Sequence, residues 1–84
     1  MKIPAKGSRT RAIVDMLVQR DERRIDKIIL SLENQFTPGA SMKAINELLD
    51  KGVVINLTTQ LLMDERSLIA KDVIALSEAA REIL

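Results

Sequence analysis

The chemistry of this chain is concentrated in its cations. Lys2, Lys6, Arg9 and Arg11 fall within the first 14 residues with no acid among them, a local charge of +4. Ammonium and guanidinium groups gathered in this way neutralise phosphates and release the counterions condensed on a nucleic-acid duplex. The same charges suit a solvated, frayed terminus, and the sequence leaves both readings open. One local conflict points beyond stability: Arg9 and Arg11 stand where a helix begins, and positive charge there opposes the helix dipole. The remainder is different in kind. Four bases balance four acids from Asp15 to Lys27, and from Ile28 to Leu84 five bases face eight acids, a balance of −3. The formal net charge of +1 therefore hides a basic arm leading into an acidic remainder.

Catalysis finds few tools. Histidine is absent, which removes the usual base near neutral pH and the commonest zinc ligand. Cysteine is absent too, so there is no disulfide and no thiolate metal site. The pairs Asp21-Glu22 and Asp64-Glu65 lie in strongly polar stretches, as caps and turns do, whereas acid–base work needs carboxylates converging in a water-poor pocket. No serine or lysine occupies a nucleophile motif. Gly7, Gly39 and Gly52 cannot form a phosphate-cradling loop, and the carboxylates lack calcium-loop spacing. The expectation is no enzyme, no metal, no cofactor and no small-molecule substrate. Phe36 is the only aromatic residue, which argues against a stacking platform for single strands.

Helices must position whatever binds. A chain of 84 residues makes one domain with one modest core. Residues 1–7 read as a flexible basic lead-in broken by Pro4 and Gly7, and residues 8–84 as a single helical domain. Ser8 is a plausible N-cap for a helix to about Gln19 with Ile13, Val14, Leu17 and Val18 on one face. At the polar cluster Gln19 to Arg24, either Asp21 caps a second helix or the first runs straight through. From Ile25 the stripe Ile25, Ile28, Ile29, Leu32 and Phe36 describes an amphipathic helix. Thr37-Pro38-Gly39-Ala40 is the strongest break, after which Ser41 reads as an N-cap. Met42, Ile45, Leu48 and Leu49 then line one face, and Gly52 ends that helix. The β-branched run Val53 to Thr59 is either a short strand or the start of another helix. In the last segment Leu62, Ile69, Leu76 and Ile83 repeat every seven residues, with Val73 and Ala80 in alternate positions and Arg66 breaking that row. A helix carrying this seam packs on the core or on the same helix of a second copy. Leu62, Ile69, Val73, Leu76, Ala80 and Ile83 are therefore the candidate dimer interface. The fold expected is mainly α, with four or five short helices.

The stretch from Ser41 to Ile55 resembles the third helix and following strand of winged helix-turn-helix DNA-binding domains. It has the capped helix, the Ile45-x-x-Leu48 stripe, the Lys51-Gly52 turn and the β-branched segment after it. The likeness covers about 15 residues directly. It extends loosely to a first helix at Ser8 to Gln19, a second at Arg24 to Asn34, and a small β wing after Gly52. It implies that the start of the third helix enters the major groove. Its exposed positions would then be Ser41, Lys43, Ala44, Asn46 and Glu47. Lys43 would contact a phosphate or guanine, and Asn46 would read adenine. The arm residues Lys2, Lys6, Arg9 and Arg11 would add backbone contacts.

Two functions follow. The first is a small DNA-binding, transcriptional regulator-like protein with duplex DNA as partner, dimeric through its last segment. The second is an all-helical interaction or dimerisation module that binds itself or another protein and no nucleic acid. Its support is the near-neutral charge, the seven-residue seam, and methionines at positions 1, 16, 42 and 63. The fate of Val53 to Thr58 separates the two, because a strand favours the wing and a helix favours the bundle. The longest apolar run, Val73 to Leu76, is far short of the roughly 20 residues of a membrane span. No secretory signal is read at the start, and the expected location is the cytoplasm.

Overall fold

The computed structural model describes residues 3–20, 22–58 and 71–84. Helix α1 covers Arg9–Gln19. Ser8 caps it as expected, its hydroxyl accepting from the Arg11 amide at 3.1 Å. Ile13, Val14 and Leu17 face inward. The backbone turns extended at Arg20, and a short strand β1 follows at Glu22–Arg24. Helix α2 occupies Ile25–Leu32 and buries Ile25, Ile28 and Leu32. Two helices with a strand between them therefore span the region that the sequence left open.

The turn after α2 is closed by Gln35 and Phe36 amides donating to the Leu32 carbonyl at 2.9 and 2.8 Å. Helix α3 then runs over Pro38–Asp50. Its cap is Thr37, whose hydroxyl accepts from the Ala40 amide at 3.2 Å. Pro38 occupies the first turn, where its missing N–H is no loss. Ser41 is thus not the cap, because the pair Thr37-Pro38 starts the helix one turn earlier. At the far end the Gly52 amide donates to Leu49 at 3.1 Å and the Val53 amide to Leu48 at 3.0 Å. This doubly bonded closure needs a left-handed residue, and Gly52 supplies it with φ of 74°. Val53 and Leu48, both fully buried, make the apolar contact that accompanies such an ending.

Strand β2 is Val54–Asn56 and strand β3 is Val73–Leu76. The sheet has the order β1-β3-β2 and is antiparallel throughout. Arg23 lies opposite Ile74 on one side of β3, and Ile55 opposite Ala75 on the other. Helix α4, Glu78–Ile83, is capped by Ser77, which accepts from the Ala80 amide at 3.2 Å. The core joins all layers: Ile13 and Leu17 of α1, Ile28 of α2, Ile45 and Leu48 of α3, Val54 and Ile74 of the sheet, and Ala80 of α4. Burying one such Ile or Leu side chain contributes roughly 1.5–3 kcal/mol.

The domain is α+β, which corrects the expectation of a mainly helical fold. Helices α1 to α4, and helical backbone at Leu57 and Thr58, accompany a three-stranded sheet. The largest departure is at the C-terminal end. Val73 and Leu76 belong to β3 and not to a long helix, so the seven-residue spacing does not trace one helical face. β3 is the central strand, paired on both edges, with Ile74, Ala75 and Leu76 buried. A short continuous apolar run is what such a strand requires, and periodicity cannot tell it from a buried helical turn. Ala80 is buried in α4, Ile83 is exposed there, and Leu62 and Ile69 lie outside the described residues.

Candidate nucleic-acid interface

Helix α3 packs its inner face on both α1 and α2. The inner positions are Ser41, Ala44, Ile45 and Leu48. The helical period then sends Gly39, Lys43, Asn46, Glu47 and Asp50 outward, and all five are exposed. The exposure expected of Ser41 and Ala44 is not found. Ser41 is 0% exposed, and its hydroxyl has no hydrogen-bond partner. Both residues stand four positions before a core residue, Ile45 and Leu48 respectively, so the same helical period that buries those two buries these.

A groove of about 230 Å³ lies between the start of α1 and this face, lined by Ser8, Arg9, Thr10, Ala40, Lys43, Ala44 and Glu47. The Arg9 guanidinium is 5.9 Å from the Phe36 ring centroid, a cation–π contact that holds the start of α1 against the turn before α3. Arg9 and Lys43, expected from the sequence as separate contacts, thus come together in one wall. Arg11 does not join them. Its Nε donates to Asp15 at 2.9 Å and its Nη1 to the Pro4 carbonyl at 3.2 Å. It clamps the lead-in against α1, where Ile3 packs on the core. Lys6 is exposed, and Lys2 lies outside the described residues.

The electrostatics of the outer face of α3 are balanced. Lys43 is its one cation, and Glu47 and Asp50 share the surface with it. Such a face offers donors and acceptors to base edges but little attraction for phosphates.

Two features escaped the sequence reading. Asp72 is fully buried at the start of β3. Its carboxylate accepts from Asn56 Nδ2 at 3.2 Å, Asn56 Oδ1 accepts from the Thr58 amide at 3.0 Å, and Thr58 Oγ1 accepts from the Val73 amide at 3.0 Å. These bonds fasten together the two ends of the β2–β3 connection. The second feature is a groove of about 250 Å³ lined by Arg20, Glu22, Arg23, Arg24, Lys27 and Val73. In the sequence this cluster registered only as a polar interruption, because its acids balanced its bases. The signal that separates them is spatial, since the pairing of β1 with β3 decides which side chains share the groove. Among the described residues no helix is long and apolar enough to cross a membrane.

No family model matches this sequence. No curated protein and no solved structure matches it either.

Proposed function

We propose that this chain is a small, cytoplasmic, non-catalytic DNA-binding protein of helix-turn-helix type. α3 enters the major groove and the β2–β3 connection serves as its wing. The observation that carries this reading is β2 itself, a strand at Val54–Asn56 directly after the Gly52 end of α3. A helix throughout Val53 to Thr58 would have favoured the bundle; the strand covers the middle of that stretch, and Leu57 and Thr58 are helical. Supporting it is the turn between α2 and α3, which has five residues, 33–37, because Pro38 begins α3. That length approaches the three or four residues usual in such turns. α3 has 13 residues and spans about 20 Å, and the major groove is about 12 Å wide, enough to admit it. On its outer face the Asn46 carboxamide suits adenine N6 and N7, Lys43 suits guanine O6 and N7, and Glu47 suits the cytosine amino group.

Fluorescence anisotropy of a labelled random duplex, titrated at low and moderate salt, tests the reading. Binding that weakens steeply with salt is expected, reduced in Lys43→Ala and in the pair Lys6→Ala and Arg9→Ala. Point substitution is preferable to removing the arm, because Ser8 caps α1 and Arg11 clamps the lead-in. Absence of binding at low salt, where electrostatic attraction is least screened, would refute it.

A second reading, self-association, has its own observation. Val18 and Leu84, 55% and 46% exposed, line a groove with Leu17, Leu76 and Arg81, and Ile83, the residue before Leu84, is 53% exposed. Sedimentation equilibrium at rising concentration tests it, and a monomer throughout would exclude it.

A further inference from the structure

The reading above leaves a question of charge. A helix that enters a duplex between two phosphate chains needs cations nearby, and the outer face of α3 carries Lys43 against Glu47 and Asp50. The positive charge lies elsewhere, at the opposite end of α1 from Arg9. α1 has 11 residues, so its two ends are about 16 Å apart. At the far end stands the groove of Arg20, Arg23, Arg24 and Lys27, with Glu22 as the single acid among the described residues of its wall.

Three details set this groove apart from an ordinary solvated surface. Arg23 is half-buried, and its Nε is enclosed with no acceptor. A desolvated guanidinium N–H without an acceptor is unfavourable, and its burial holds the Arg23 side chain in the groove wall rather than spread in solvent. Next, α2 begins at the groove with no side-chain cap, because its N-cap residue is Arg24. The Ile25 amide is taken by the Asp72 carbonyl, but the next amides of the first turn and the positive end of the helix dipole add to the charge of the side chains, against Asp26 in the same turn. Finally, Arg20 and Lys27 are exposed and form no ion pair among the described residues, while Arg24 is paired with Asp26 at 2.6 Å. Planar forks from Arg20 and Arg23, a point charge from Lys27 and free amides together suit a tetrahedral oxyanion.

We propose that the groove formed by the end of α1, β1 and the start of α2 binds a phosphate group, held by Arg20, Arg23 and Lys27. The source favoured is the phosphodiester backbone of the duplex, which rests on the DNA-binding reading. Free phosphate has the same chemistry. In the full chain, Arg20→Gln with Lys27→Gln removes two exposed charges and leaves the core untouched. Duplex binding by this variant is measured across a salt series beside the unmodified protein. The slope of log affinity against log salt should shallow by about 0.9, since one neutralised phosphate contributes about that much. In parallel, inorganic phosphate is titrated into the ¹⁵N-labelled protein while amide shifts of residues 20–27 are followed.

A shallower slope supports the groove and assigns the phosphate to the duplex. An unchanged slope with saturable phosphate shifts at residues 20–27 supports the groove and assigns the ligand to free phosphate. An unchanged slope with no such shifts overturns the inference and leaves the DNA-binding reading standing. If the unmodified protein binds no duplex at low salt, that reading falls, and the phosphate titration alone decides the groove: saturable shifts uphold it and their absence overturns it.

Discussion

Helices α2 and α3 are consecutive in the chain, yet their first turns are built in opposite ways. α3 starts on Thr37 with a capped amide and Pro38 in the first turn, and it finishes on the doubly bonded closure at Gly52. Its ends are satisfied from within. α2 starts on Arg24 with no side-chain cap, beside an Arg23 Nε with no acceptor and an Asp26 Oδ1 with no donor. The Ile25 amide does donate to the Asp72 carbonyl, at 2.9 Å, but that bond fixes the helix to β3 and closes nothing else. A helix finished internally is a frame. A helix left open at its positive end has donors to spare for something outside the chain. The pair divides into a part that holds the fold and a part that is available.

The comparison can be broken most severely at the frame. Ile45 is fully buried in α3 between α1 and α2. Ile45→Ala should cost about 2–5 kcal/mol, read as a lower midpoint in chemical denaturation. If α3 were not the frame, the loss would fall at the low end of ordinary substitutions. Gly52→Ala comes next. An added Cβ meets nothing within 4 Å, so its cost is the left-handed backbone alone, about 1–2 kcal/mol by the same measurement.

The sharpest contrast comes from paired changes at the two N-caps. Thr37→Ala should cost about 1 kcal/mol, and Arg24→Ser should gain about 0.5–1 kcal/mol by supplying the missing cap. The Arg24–Asp26 pair is partly exposed, with side chains 46% and 35% accessible, so its loss subtracts little. If the groove at the start of α2 meets the duplex, Arg24→Ser should also weaken duplex binding, a trade of affinity for stability. A gain in stability with unchanged binding would mean that the open start of α2 serves nothing. Smallest is Ser41→Ala, which removes a buried hydroxyl without a partner. It should be neutral or stabilising by up to about 1 kcal/mol, and thermal denaturation reads it.

Much of the frame could be read from the sequence. Ser8 as a cap, the stripe from Ile25 to Leu32 and the Gly52 ending all follow local rules. The break at Pro38-Gly39 was legible too, but its sense was not: Pro in a first turn starts a helix as readily as Pro after a last turn ends one. β1 was illegible, because Glu22-Arg23-Arg24 has no strand propensity and is extended only through its pairing with β3. Leu62, Ile69, Leu76 and Ile83 imitated a heptad because apolar residues are common in the chain, and β3 falls across two of its rows. At the interface, Lys43, Asn46 and Glu47 were correctly placed outward by helical phase. The resemblance to a recognition helix implies that Ser41 and Ala44 also face outward, whereas the phase set by Ile45 and Leu48 buries both. The groove at Arg20 to Lys27 needs the sheet to exist before its residues meet.

The shortness of the edge strands has a practical consequence. β1 and β2 have three residues each, and β1 presents Glu22 and Arg24 to solvent. A neighbouring molecule adding a strand to the β1 edge would gain few hydrogen bonds and would meet charge of both signs. The protein should therefore stay dispersed at the concentrations that spectroscopy demands, and the sheet should not seed fibres.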